Sequence, residues 1–292
     1  MKNIQDEFYP AALTISGSDP CGGSGIQTDL RTFNAAGVYG CSVVTAVTAQ
    51  NPRQLFGVEA VSLELVTKQL DAVLNTVALK AVKCGMIPNG KMVGAIAKSL
   101  KKCHAPLVVD PVLFIGNEQL LDEDGINALK KELLPLAKLI TPDVAAAEVL
   151  LGRKLRKQAE VVKAAGELAE VYKCNVVLKN NNSSNGGVIS DIAVINGKSH
   201  FLTYPRVNDL AEYADHGSKC TFSSAVTAML AVGNNWKDTL RNAQAYLYGS
   251  LSETALIGKE LEAMYPPLED YSAQVRLVPA EKNQDFRAGE KR

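Results

Sequence analysis

Two rhythms of apolar and polar positions alternate along this chain. Short apolar runs recur, and between them lie longer stretches in which apolar residues return every three or four positions. The first rhythm belongs to strands buried on both faces, the second to amphipathic helices. "AALTISG" (Ala11 to Gly17) reads as a strand, and the segment after it sets Ile26, Leu30 and Phe33 on one helical face before stopping at Gly37. "CSVVTAVTAQN" is β-branched and nearly all apolar, as a buried strand is. A helix over Glu64 to Val77, a strand at "LKAVKCGM", a helix over Lys91 to Lys102 and a strand at "PLVVDPV" continue the alternation.

The second half repeats it. "EDGINALKKELLPLA" is amphipathic, "KLITP" is a strand stopped by proline, and "DVAAAEVLLG" is a short helix capped by Asp143. "QAEVVKAAGELAEVY" predicts a helix and "NVVLK" a strand. Two further strand-like runs meet at Asn196-Gly197, a dipeptide that favours a tight hairpin. Helices over Thr221 to Val232 and Trp236 to Ile257 close the pattern. Regular alternation of this kind predicts a mainly parallel sheet with helices on both faces, binding ligands outside the carboxyl ends of its strands. No repeat and no flexible linker divides the chain. The expectation is one domain over residues 1–276 and a polar tail over 277–292.

Composition adds little to that picture but excludes some partners. The 292 residues are 47% hydrophobic and 21% charged, with 31 basic and 31 acidic side chains. A balanced charge gives no general attraction to nucleic acid or to an anionic membrane, so neither is expected as a partner. Cys21, Cys41, Cys84, Cys103, Cys174 and Cys220 are scattered without a CxxC pair. With no secretory pattern in "MKNIQDEFYP" and no apolar run long enough to span a bilayer, free thiols and a cytoplasmic location are expected.

Three strand ends carry candidate chemistry. In "GSDPCGGSGIQTD", four glycines surround Asp19 and Asp29, so a ligand can approach the backbone and meet a carboxylate suited to a hydroxyl or amino group. Asp110 ends the very apolar "VVD" run and needs a cation, a metal or hydrogen-bond donors if buried; capping the next loop is the plainer alternative. In "HGSKCTFSSAV", a polar turn breaks into a helix at Gly217 to Cys220. Amides free at a helix start, and the positive end of its dipole, suit a transferred phosphoryl group. The same position lowers a thiol pKa, which makes Cys220 a candidate base or nucleophile.

Together these residues resemble the hydroxymethylpyrimidine and phosphomethylpyrimidine kinases, a family of the ribokinase-like superfamily that also holds the pyridoxal kinases. The likeness is densest from Ala12 to Asn51 and continues through "KCGM", "VVDPV", "LLPLAKLITP" and "CTFSSAVTAMLA", in order over about the first 255 residues. The resemblance implies a three-layer αβα sandwich around a central, mainly parallel sheet, and transfer of the ATP γ-phosphate to an aminopyrimidine hydroxymethyl group or its monophosphate, with Mg2+. It implies substrate contacts at Gly17, Ser24, Asp29, Thr48, Gln50 and Met86, with the Gln50 amide matched to a pyrimidine edge. It places the catalytic cysteine at Cys220 and the anion hole at Gly217, Ser218 and Lys219. Asp110 and Lys179 fall at the nucleotide, with Asp110 reaching the metal through water. It also implies a homo-oligomer, as a dimer.

The departures cluster on the nucleotide side. His216-Gly217-Ser218-Lys219-Cys220 stands where the family reads His-Gly-Thr-Gly-Cys. Lys219 thereby puts a Cβ where glycine allows positive φ, or brings a point charge to phosphate. Asp143-Val144-Ala145-Ala146 replaces Asn-x-x-Glu, Lys179-Asn180-Asn181 replaces Lys-Gly-Gly, and Phe114-Ile115-Gly116-Asn117 replaces a Lys-Ser-Gly loop. The pyrimidine side is kept and the nucleotide side is changed at four places. An active kinase, a pyridoxal-type kinase and a non-catalytic pyrimidine binder are the readings left open.

Overall fold

A computed structural model describes residues 8–115, 118–180, 183–184 and 187–280 of the chain. The first half runs Ala11–Ser18 (β1), Gly25–Ala35 (α1), Tyr39–Asn51 (β2), Gln54–Ala60 (β3), Leu63–Leu74 (α2), Leu79–Cys84 (β4), Gly90–Leu100 (α3) and Leu107–Val109 (β5). A small hairpin, Phe114–Ile115 (β6) with Glu118–Gln119 (β7), precedes Glu123–Ala128 (α4), which continues through a π turn and a 3-10 turn to Leu136. Then come Leu139–Ile140 (β8), Val144–Leu151 (α5), Gln158–Tyr172 (α6), Asn175–Leu178 (β9), Ser183–Ser184 (β10), Val188–Ile195 (β11) and Lys198–Pro205 (β12). Ser218–Ala231 (α7), Trp236–Ser252 (α8), Ala255–Gly258 (β13), Leu261–Ala263 (β14) and Arg276–Pro279 (β15) complete the described chain.

Among the described residues the main sheet has eleven strands, ordered β15-β12-β11-β9-β8-β5-β4-β1-β2-β3, with β10 beside β11. From β2 to β9 all neighbours are parallel, and antiparallel strands finish both edges. This is the three-layer αβα arrangement that the alternation predicts. Period-two side-chain alternation separates the layers. Leu13, Ile15, Val82, Cys84, Val109 and Ile140 pack with α2 to α6, while Val108, Leu139 and Val177 pack with α7 and α8. Ala12 and Ala81, being small, admit Phe33 of α1 and Ala228 of α7 against the sheet.

Side-chain caps set several helix starts: Asn89 accepts from Met92 N (3.0 Å) and, as expected, Asp143 accepts from Ala146 N (2.8 Å). Asn196 and Gly197 both adopt positive φ, the geometry that a two-residue hairpin with native twist requires. Three boundaries differ from expectation. The strand Gln54–Ala60 was not predicted, because it is a mostly exposed edge strand with no buried face to mark it. The helix expected to reach Ile257 ends at Ser252, and Ala255–Gly258 pairs with Leu261–Ala263 instead. The predicted tail from 277 begins inside β15, which hydrogen-bonds to β12 through residues 276–279. Among the described residues no helix is long and apolar enough to cross a membrane.

Candidate functional site

The chain leaves β1 towards β2 on one side and returns through β4 on the other, so the sheet changes direction between β1 and β4. Loops diverging at such a point open a crevice above the carboxyl ends of the strands. A cavity of about 470 Å³ lies there, within the range of small-ligand sites. Its walls come from the ends of β1 (Gly17), β2 (Thr48, Gln50), β4 (Met86), β5 (Asp110) and β8 (Asp143), from Ser24, and from the start of α7 (Gly217 to Cys220). Sites separated by up to two hundred residues in sequence thus meet in one pocket.

The loop after β1 is organised by Asp19, which is fully buried. Its carboxylate accepts from Cys21 N (2.9 Å), Ser24 N (2.8 Å) and Ser24 Oγ (2.9 Å), and His216 Nε2 lies 3.0 Å away. Burial works to raise the Asp19 pKa, but bonds from His216 and Ser24 prevail and hold it below the usual carboxylate range. Asp19 therefore fastens the loop to the α7 start and does not line the cavity, contrary to the ligand contact expected of it. His216 is the partner that sequence reasoning missed. Gly217 sits at φ +87°, and a Cβ there would fall inside the Gly23 carbonyl, so this contact between loop and helix admits only glycine. On the pyrimidine side, Thr48 Oγ1 donates to Ser18 O (2.8 Å) and Gln50 Nε2 points at Ser24 Oγ (3.5 Å). The Gln50 amide is only weakly engaged there and faces the cavity.

Beneath this wall lies a buried polar cluster. Thr14 and Lys83 are cross-strand neighbours on β1 and β4, turned towards α1 and α7. Lys83 pairs with Asp29, which also accepts from Thr14 Oγ1 (2.5 Å) and Ser224 Oγ (2.5 Å). The Lys83 and Asp29 side chains have no exposed area. Asp29, expected at the substrate, instead lies below the cavity floor and is absent from its lining. Although burial alone would lower it, the Asp29 carboxylate holds the Lys83 pKa above its ordinary value. The signal available in sequence was a lysine inside a buried strand and an aspartate on the buried stripe of α1.

Cys220 stands in the first turn of α7 and lines the cavity. Burial pushes its thiol pKa up, against Lys83 and a hydrogen bond from the Gly25 amide, and the Asp29 and Asp110 carboxylates push the same way as burial. The lowering expected from its helix-start position is thus overturned. In the expected anion hole, Ser218 N already donates to Asp215 O (3.0 Å), and the first intrahelical bond runs from Thr221 N to Gly217 O (2.9 Å). The amides of Lys219 and Cys220 are the ones that the helix leaves without an acceptor of its own.

On the nucleotide side, Asp110 is 3% exposed and accepts from Thr141 Oγ1 (3.2 Å) and Ser223 Oγ (3.3 Å). The donors it was expected to need are hydroxyls. Lys179 Nζ lies behind the wall, donating to Lys219 O (3.1 Å) and standing 4.8 Å from the Phe222 ring centre. Burial lowers the Lys179 pKa. Lys219 has helical backbone and not the positive φ expected of a glycine position. Its ammonium pairs with Asp143, whose carboxylate also caps α5. Burial opposes charge at both, yet each holds the other charged, with Asp143 below and Lys219 above its ordinary pKa.

Mg2+ in phosphoryl-transfer sites is usually held by one or two carboxylates together with substrate phosphates and water. Asp110 lines the cavity and supplies one carboxylate towards that requirement, while Ala146 offers none and Asp143 is taken by Lys219. Among the described residues no three His, Cys, Asp or Glu side chains gather as a metal cage. Gly116, Asn117 and Asn181, which carry parts of the altered loops, lie outside the described residues.

The family model for phosphomethylpyrimidine kinase matches residues 19–264. The hydroxymethylpyrimidine/phosphomethylpyrimidine kinase of Rhizobium meliloti is 40% identical over 243 residues, covering 82% of this chain and 90% of that protein. The thiamine biosynthesis bifunctional protein ThiED of Geobacter sulfurreducens is 35% identical over 85% of this chain, which spans 50% of that longer protein. Among solved structures, phosphomethylpyrimidine kinase from Clostridium difficile superposes with a TM-score of 0.70 at 34% identity, covering 82% of this chain and 99% of that one. Pyridoxal kinase from Staphylococcus aureus, in complex with AMP-PCP and pyridoxal, gives 0.81 at 25% identity and covers 94% of this chain and all of that one. The fold is therefore ribokinase-like.

Proposed function

The chain belongs to the phosphomethylpyrimidine kinase family, and from that premise we propose that it phosphorylates 4-amino-5-hydroxymethyl-2-methylpyrimidine, or its monophosphate, with ATP in thiamine biosynthesis. The observation that carries this reading is the cavity itself. It gathers Gly17, Ser24, Thr48, Gln50 and Met86 together with Asp110, Gly217 and Cys220. In the proposed reaction the ring lies against the first group, with the Gln50 amide meeting its amino group and ring nitrogen. The substrate oxygen attacks the γ-phosphorus in line, the bond from that phosphorus to the β-bridging oxygen breaks, and ADP leaves. Where the attacking oxygen is the hydroxymethyl group, its proton passes to Cys220 in its thiolate form; a phosphate oxygen attacks without one. Because burial raises that thiol, the thiolate fraction grows with pH, and so does the rate that depends on it.

The amides of Lys219 and Cys220 meet the transferred phosphoryl oxygens, and Lys179 fixes the turn that presents them by holding the Lys219 carbonyl. Mg2+, when bound, would supply charge neutralisation to the phosphates, and Asp110 is the residue that would hold it. Partners are small molecules, and a homodimer completes the proposal, to be checked by light scattering.

The test is ATP-dependent phosphorylation of the pyrimidine by wild type and Cys220→Ala. Expected is a fall in kcat of at least about 10²-fold in the variant, with pyrimidine affinity unchanged. Equal turnover removes Cys220 from the mechanism, and no turnover by folded wild type at high concentration leaves the non-catalytic binder. The pyridoxal kinase superposition favours pyridoxal as a second substrate. A higher kcat/KM for pyridoxal than for the pyrimidine would make it the first.

A further inference from the structure

Lys219 in the anion-hole turn and Asp143 at the α5 start are both departures from the family pattern, and their side chains meet at the cavity wall. Asp143 uses one carboxylate oxygen for Ala146 N and the other for the Lys219 ammonium. Both line the cavity together with Asp110 and Ala146. The pair is partly exposed, with Lys219 at 50% and Asp143 at 24%. An ion pair open to water gains little over its separated partners. Asp143 therefore holds Lys219 in a pair that water can reach, while the turn beneath is held by Lys179 on the Lys219 carbonyl. Ala146 presents a methyl group, so position 146 adds no further carboxylate to compete with an arriving anion.

We propose that Lys219 is a cation that the chain itself supplies to the polyphosphate of the nucleotide, parked on Asp143 until the nucleotide binds. This rests on the kinase reading and deepens it. A nucleotide free of metal carries several negative charges and approaches Asp110, which repels it. An ammonium that changes partner from Asp143 to a phosphate offsets that repulsion, as a compact point charge on a flexible stem can. Nucleotide binding in this chain consequently depends less on a divalent cation than Asp110 alone would allow.

Isothermal titration of ADP and of a non-hydrolysable ATP analogue, each in Mg2+ and in EDTA, tests this with two variants of opposite prediction. Lys219→Gln keeps a polar, slightly shorter side chain and loses the charge, so affinity in EDTA falls about tenfold or more, the range of one charge-assisted contact. Asp143→Asn keeps an α5 cap of equal quality and releases Lys219, so affinity in EDTA rises several-fold. A pair that merely braces the fold is broken equally by either change, and both variants would then weaken binding alike. Pyrimidine affinity, measured in parallel, stays at the wild-type value in both. Shifts in opposite directions support the proposal. Shifts in the same direction, or none in Lys219→Gln, overturn it while wild-type turnover leaves the kinase reading standing. Wild type that binds nucleotide in neither Mg2+ nor EDTA overturns both.

Discussion

Removing the buried ammonium below the cavity floor is expected to be among the most damaging single changes in this chain. Lys83→Met keeps the volume and apolar stem of the side chain but leaves Asp29 charged, with no exposed area and no cation. The hydroxyls of Thr14 and Ser224 donate to Asp29 before and after the change, so they do not compensate. Breaking one partner out of a buried pair costs about 3–5 kcal/mol. A buried carboxylate has one escape, uptake of a proton, and at pH 7 that costs about 4 kcal/mol from an ordinary aspartate. The expected loss is thus about 3–4 kcal/mol at pH 7. At about 2–3 °C per kcal/mol for a large domain, it lowers Tm by about 6–12 °C. Urea titration followed by circular dichroism, with calorimetry beside it, measures both quantities. Asp29→Asn added to Lys83→Met removes the stranded charge, and the double variant recovers most of the loss. A loss below about 1 kcal/mol in Lys83→Met, or a double variant at the sum of the two single losses, would refute the argument.

Two further outcomes follow from the α7 start. Gly217→Ala forces a Cβ into the Gly23 carbonyl at a left-handed backbone position; it loses at least about 1–2 kcal/mol and weakens pyrimidine and nucleotide binding together, and calorimetry showing neither change would contradict this. Alkylation of Cys220 by iodoacetamide, read by peptide mass, is slow at pH 7 and keeps climbing past the ordinary thiol value near 8.5, because burial raises this thiol and the thiolate is the reactive form. The Lys83→Met variant moves that climb still higher, since Lys83 works to lower the Cys220 pKa; a rate that levels off below pH 8 would be inconsistent with both.

How much of this was legible in the sequence follows from which forces act locally. The buried strands were readable because β5 and β8 bury alternate side chains in both layers, so almost every position is apolar. The edge strand Gln54–Ala60 carries no such mark, and "ALIG" is too short and too exposed to separate strand from helix by period. At the site, the residue types and their strand-end positions were visible, and the cavity does bring most of them together. Their partners were not visible. Lys83 finds Asp29 fifty-four positions away, and Lys219 finds Asp143 seventy-six positions away. Pattern alone assigns Asp19 and Asp29 to the ligand because both sit in a glycine-rich loop and its helix; only packing shows that each is consumed by the protein itself.

The same partners bear on whether the altered nucleotide side is a decaying site or a rebuilt one. Decay predicts stranded groups, since a buried polar atom that loses its ligand or its neighbour keeps its desolvation cost. Among the described residues, the buried side-chain polar atoms without a partner are Ser190 Oγ, Gln244 Nε2 and Ser250 Oγ, and none lines the cavity. Asp110 has two hydroxyl donors, Lys179 has a carbonyl, and the new lysine and new aspartate satisfy each other. A lysine arriving alone in place of glycine would face the cavity without a counter-charge. An aspartate arriving alone in place of asparagine would repel phosphate. The two together cancel each other's charge and leave a positive group able to change partner, which is what a site handling phosphate beside Asp110 can use.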